Sequence, residues 1–210
     1  MTNDESVDLT PVAPFSSART VGRLCLDTCV VIGINNRERF VENEEESLEE
    51  LIELRRQAHV ELVQTDTVGI ERGMLRPNDL AWQRRLESIG LVEIHGPYIP
   101  GHSRKESSVG ASPEDIARFE RVLGIVHPRA KVSSIPSNND VRDAMHIATA
   151  IRYGYQGLVT TDADVLKATA AIANELGGFR LLLPSQAVAW VTREVVRRDR
   201  AKGAWTNHTK

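Results

Sequence analysis

Four acidic side chains in this 210-residue chain stand where segments of different character begin or end: Asp27, Glu71, Asp143 and Asp162. Asp27 closes the short apolar run Arg23-Leu-Cys-Leu-Asp27, and Asp162 directly follows the run Leu158–Thr161. Asp143 falls in the first turn of an expected helix, and Glu71 about one turn into another. Asp140 precedes Asp143 by three residues and shares its helix face; Asp164 follows Asp162 by two. Carboxylates brought together repel one another and partly neutralise unless a cation joins them. An all-oxygen donor set suits Mg²⁺ or Mn²⁺ and not zinc. A hard dication on an open edge lowers the pKa of a water and stabilises a phosphoryl oxyanion, which is the chemistry of phosphodiester hydrolysis. Each acid alone reads better as a helix cap or turn residue. The metal reading depends on all four meeting.

The elements that must bring them together follow from periodicity. Arg23–Asp27, His59–Gln64, Leu91–His95, Leu158–Thr161 and Phe179–Leu183 read as short strands, most of them apolar throughout. Between them lie helical stretches. Thr28 is the expected N-cap of Cys29–Ile34, and Ser47-Leu-Glu-Glu50 reads as a capping box opening a helix that buries Leu48, Leu51 and Ile52. Thr65-Asp66-Thr67 caps the helix that carries Glu71. Ser112-Pro113-Glu114-Asp115 starts another, which buries Ile116, Phe119 and Leu123. Asn138-Asn139 caps Asp140–Tyr153, with the stripe Ala144, Ile147, Ala148, Ile151. Asp164–Leu176 is expected as one helix closed by Gly177-Gly178, and Ser185–Arg198 as the last.

Buried strands alternating with helices imply a parallel sheet covered on both faces: an α/β fold in three layers, α/β/α. Strand C-termini and helix N-termini then share one edge, the edge where ligands bind. Residues 1–20 read as a mobile leader, 21–198 as one domain, 97–112 as a Gly/Pro/Ser-rich loop or insertion, and 199–210 as a frayed basic tail.

Leu24-Cys-Leu-Asp27-Thr28, Glu71 after a strand, Asp143-Ala-Met-His-Ile-Ala-Thr-Ala150 and Leu158-Val-Thr-Thr-Asp162-Ala-Asp164 together resemble a PIN domain over residues 22–185. That family comprises metal-dependent nucleases, chiefly ribonucleases, and includes toxins of bacterial toxin–antitoxin pairs. The resemblance implies that Asp27, Glu71, Asp143 and Asp162 hold Mg²⁺ or Mn²⁺. It implies that Thr28, Thr160 and Thr161 support the site, with Asp140 and Asp164 as secondary ligands. It further implies single-stranded RNA as substrate and an antitoxin protein as a possible partner. A leader, a long segment between Glu71 and Asp143 and a basic C-terminal helix depart from the compact toxin type; the long loop could gate substrate or build a homo-oligomer interface. The competing function is a catalytically idle PIN-like scaffold that binds RNA or protein.

The net charge of −3 at first argues against a nucleic-acid partner. It averages 12 basic and 19 acidic residues over positions 1–110 with 14 basic and 10 acidic over 111–210, that is −7 against +4. Arg142, Arg152 and the basic C-terminal helix are candidates for holding a phosphate backbone. No apolar run approaches the ~18 residues of a membrane helix, and no secretory signal opens the chain. Two cysteines, Cys25 and Cys29, are too few for a disulfide framework, so a cytoplasmic setting is expected and both thiols read as core. Neither a Gly-rich phosphate loop nor a GxGxxG motif is present, and Asn35 stands where a cysteine phosphatase loop needs arginine. His146 reads as a plain helix histidine. His59, His95, His102 and His127 show no metal-ligand spacing with the cysteines.

Overall fold

The strand at the centre of the fold, β1 (Gly22–Leu26), is apolar on both faces because both faces are covered: Leu24, Cys25 and Leu26 are fully buried. The computed structural model describes residues 19–34, 44–75, 88–103, 108–128 and 138–206. Within them β1 is followed by α1 (Thr28–Gly33), α2 (Glu45–Arg56), β2 (Val60–Thr65), α3 (Asp66–Leu75) and β3 (Val92–Ile94). Then come α4 (Pro113–Val126), α5 (Asn138–Arg152), β4 (Gly157–Val159), α6 (Ala163–Leu166), α7 (Thr169–Glu175), β5 (Arg180–Leu182) and α8 (Pro184–Thr206). The strands form a five-stranded parallel sheet in the order β3-β2-β1-β4-β5. This is the expected three-layer α/β/α class.

Alternation along β1 divides the core in two. Leu24 and Leu26 join Val30, Leu51, Leu62, Val159, Trp190 and Val191 under α1, α2 and α8. Cys25 turns the other way, with Val63, Phe119, Val122, Ile147, Leu158, Ile172 and Leu181 under α4, α5 and α7. Each fully buried Leu or Ile contributes roughly 1.5–3 kcal/mol relative to exposure, so these two layers hold the sheet between them. Close approach sets two glycines: a Cβ on Gly157 would lie 2.7 Å from the Arg180 carbonyl oxygen, and one on Gly22 would lie 2.7 Å from the Trp190 ring.

Several local expectations are revised. Asp27, not Thr28, caps α1: its side chain accepts a hydrogen bond from the Thr28 backbone N–H, and Thr28 is the first helical residue. Ser47 opens no helix, since α2 begins at Glu45 with Glu44 as its N-cap. The Glu44 carboxylate makes no cap bond there because it accepts from the Ser185 backbone N–H (2.8 Å) and hydroxyl (2.7 Å), tying α2 to the start of α8. The expected helix Asp164–Leu176 is two helices. Ala168 N–H reaches back only three residues to the Val165 carbonyl (3.0 Å) and the Thr169 hydroxyl takes the Leu166 carbonyl (2.6 Å), which breaks the ladder. By contrast Ser112 and Asp115 do form a capping box at α4, and Gly177 and Gly178, at φ 63° and 81°, close α7.

The helix expected to end at Arg198 continues to Thr206, so residues 199–206 are not a frayed tail. The leader up to residue 18, residues 207–210 and residues 104–107 of the expected loop lie outside the described residues. The described ends of that loop are pinned together, Tyr98 N–H to the Val109 carbonyl (2.9 Å) and Val109 N–H to that of Gly96 (3.0 Å). Among the described residues no helix is long and apolar enough to cross a membrane.

Candidate functional site

In the order β3-β2-β1-β4-β5 the chain winds one way from β1 and then returns to the other side at β4, so the carboxyl ends of β1 and β4 flank a topological switch point. Asp27 follows β1 and Asp162 follows β4, two residues beyond the buried Thr160. The Thr160 hydroxyl donates to Asp27 Oδ2 (2.6 Å) and accepts from the Asp162 backbone N–H (3.0 Å). One threonine thus fixes both strand ends relative to each other. Asp162 N-caps α6 through Oδ1, which accepts from Asp164 N–H (2.7 Å) and Val165 N–H (3.3 Å).

Asp143 arrives from the α5 side, in the second turn and not the first, because that helix starts at Asn138. Its carboxyl is pushed up to about 6, first by burial, then by the negative charge of Asp27 and of Asp162, against the opposing pull of His127. Three of the expected acids therefore share one electrostatic neighbourhood at the switch point.

Glu71, from α3, joins through a different route. It accepts from the Thr28 hydroxyl, and His146 Nε2 lies 3.5 Å from it, 3.5 Å from Asp27 Oδ1 and 3.1 Å from Thr28 Oγ1. The other ring nitrogen of His146 meets Thr65 Oγ1 at 2.7 Å. Burial alone would lower the His146 pKa, but Glu71, Asp27 and Asp143 outweigh it and hold the ring above its ordinary value. Burial likewise works against the Glu71 carboxylate. His146, Thr28 and Arg142 prevail and hold it below its ordinary value.

His146 is thus no plain helix residue: fully buried, its ring stands between Glu71 and Asp27, 3.5 Å from a carboxylate oxygen of each. Its position three residues after Asp143 was the signal available for it. His127 also belongs to the site, with Nε2 2.9 Å from Asp143 Oδ2 and Nδ1 3.3 Å from Asp140 Oδ1. No sequence spacing announces it, since it sits at the end of α4.

The secondary acids divide. Asp140 is held by His127 beside Asp143, whereas Asp164 is exposed and pairs with Lys167 (2.6 Å). Thr28 and Thr160 support the cluster. Thr161 contributes its backbone N–H to Cys29 Sγ (3.4 Å). Cys25 is core, but Cys29 sits 3.3 Å from Asp27 Oδ2, and burial together with that carboxylate pushes its thiol up to about 12. A cleft of about 540 Å³ adjoins His127 and Asp140, walled by Val126, Pro128, Asp164 and Lys167.

The two arginines part company. Arg142 lies close enough to lower the Glu71 pKa. Arg152 is at the far end of α5, 2.6 Å from the buried Asp115, which also pairs with Arg118 (2.7 Å). There it acts as the counter-ion of that buried carboxylate. Replacing Arg152 by Ala should therefore cost about 1–2 kcal/mol of stability in urea denaturation, because Arg118 and Ser112 still hold Asp115.

The donor chemistry of Asp27, Asp143, Asp162 and Glu71 fits a hard dication: every donor is a carboxylate oxygen, and the negative charges of Asp27 and Asp162 both act on Asp143. Among the described residues no group of three or more His, Cys, Asp or Glu side chains is already arranged to hold a metal ion. No family model matches this chain, and no curated protein matches it.

Proposed function

We propose that the chain is a Mg²⁺- or Mn²⁺-dependent endoribonuclease of the PIN type, cutting single-stranded RNA at the switch point of the sheet. The observation that carries this reading is the meeting of Asp27, Asp143 and Asp162, from three separate segments, at the carboxyl ends of β1 and β4. Those three, with Glu71, would hold the ion, and when bound it would supply Lewis acidity toward a phosphoryl oxygen and activate water for attack.

The chain's own side chains perform the rest. Thr160 and the Thr28 backbone N–H orient Asp27, His127 orients Asp143, and His146 with Thr28 restrains Glu71. Arg142 brings positive charge to the Glu71 side, where a phosphate would lie, and the cleft beside His127 has room for a nucleotide. An antitoxin-type partner, a homo-oligomer and a cytoplasmic setting go with the same reading.

Incubating structured and unstructured RNAs with Mg²⁺, Mn²⁺ or EDTA tests the reading. Cleavage of the unstructured RNA is expected with either ion and none with EDTA; equal cleavage with EDTA overturns it. The second reading, an idle binding scaffold, is favoured by one observation, that no three side chains already form a metal cage among the described residues. Calorimetric titration separates the two, since an idle scaffold takes up no Mn²⁺.

A further inference from the structure

The helix α8 carries a second feature, away from the carboxylates. It spans 23 residues, so it is about 34 Å long and runs back from the carboxyl edge to the opposite edge of the sheet. Arg198 there donates to the carbonyl of Arg19, just ahead of β1. Between α8 and α2 lies an open groove of about 730 Å³. Its α8 wall is one helical stripe: Val188, Ala189 and Val196 form an apolar floor, and Arg193, Arg197 and Arg200, at i, i+4 and i+7, form a basic rim.

Val196 is 44% exposed, one of two large apolar side chains left so open among the described residues. Arg193 and Arg200 make no ion pair among the described residues, and Arg197 has only a 3.9 Å contact with Glu194 across open solvent. Three cations beside exposed valine, in a chain of net charge −3, outnumber the single carboxylate of the groove lining, Glu50, and leave apolar area open beside them.

We infer that this groove docks an acidic amphipathic helix of a partner protein, with apolar side chains on Val188, Ala189 and Val196 and carboxylates against the three arginines. A nucleic acid fits less well. Among the described residues the groove presents no aromatic side chain for a base to stack on, and its floor is apolar.

The test uses a fluorescein-labelled synthetic helix of about 16 residues with Leu at i, i+3, i+7 and Glu on the flanks, beside a scrambled peptide of identical composition. Anisotropy is read on the full chain, on Arg193→Glu/Arg197→Glu and on Val196→Asp, each checked for fold by circular dichroism. The patterned peptide is expected to bind at least about tenfold more tightly than the scrambled one. Each variant should weaken it by about tenfold or more, and added salt should weaken it further. Equal binding of the two peptides, or unchanged binding to the variants, overturns the inference. So does displacement of the peptide by an oligouridylate, which would make the occupant nucleic acid. A wild-type dimer in sedimentation that the double variant abolishes would make it a second copy of the chain, and overturns the inference equally.

Discussion

Replacing Asp143 by Asn is expected to lower metal-dependent RNA cleavage by about a thousandfold or more while the protein stays folded. Asn keeps the shape and an oxygen for the His127 contact, now 2.9 Å, but removes the charge that would face the cation. Without metal, that charge is a liability. The folded Asp143 carboxyl holds its proton up to about pH 6, against an ordinary value of 3.8. Between those values the folded state binds more protons than the unfolded one, so the contribution of this group to stability is greatest below pH 3.8 and falls as pH rises to about 6.

Metal-free Asp143→Asn should accordingly match or exceed the wild type in thermal midpoint at pH 7, with the difference vanishing near pH 4. Adding Mn²⁺ should raise the wild-type midpoint, more at pH 7 than at pH 5, because a carboxylate must lose its proton to bind the ion. The variant should show a much smaller rise. Undiminished cleavage by Asp143→Asn, or an equal Mn²⁺ response in both proteins, would remove Asp143 from the site.

His146→Leu should be the most destabilising single change at the site, at about 3 kcal/mol, or a midpoint drop of roughly 10 °C. The fully buried ring links Thr65, Thr28, Glu71 and Asp27, and leucine offers none of them a hydrogen bond. Glu71 and Asp27 would be left without the ring that stands between them. The pH dependence identifies the cause. A histidine whose folded pKa is raised contributes stability in full below the unfolded value of 6.5, and loses it as pH climbs through the folded value. The gap between wild type and His146→Leu should therefore be widest near pH 6 and narrow steadily above pH 7. A gap independent of pH would mean that the ring acts by packing alone.

Legibility of the site varied with how local its causes are. Asp27 and Asp162 could be read because each follows an apolar run, and a parallel sheet puts all such strand ends on one edge. The Asp143 stripe was equally plain, although its depth in α5 depended on where the helix starts. Arg152 lies away from Asp143 for a reason that geometry could have supplied. It follows Asp143 by nine residues, about 13 Å and two and a half turns along the helix, which sets it on the opposite face and at the opposite end. Ser47 was misread because its capping pattern is local, whereas the Glu44 carboxylate that decided the helix start was engaged 141 positions away, by Ser185.

Patterns of burial and strand–helix alternation suffice to specify the α/β class, because residues every two or every three to four positions must face the same layer. They also suffice to place acids at the ends of β1 and β4. Which side chains then compensate those acids was decided only by packing. His127 reaches Asp143 from α4, and His146 reaches Glu71 and Asp27 from α5, across separations of 16, 75 and 119 residues that carry no periodicity. A carboxylate in a fold is defined by what surrounds it. The order of strands and the helices laid across them set those surroundings.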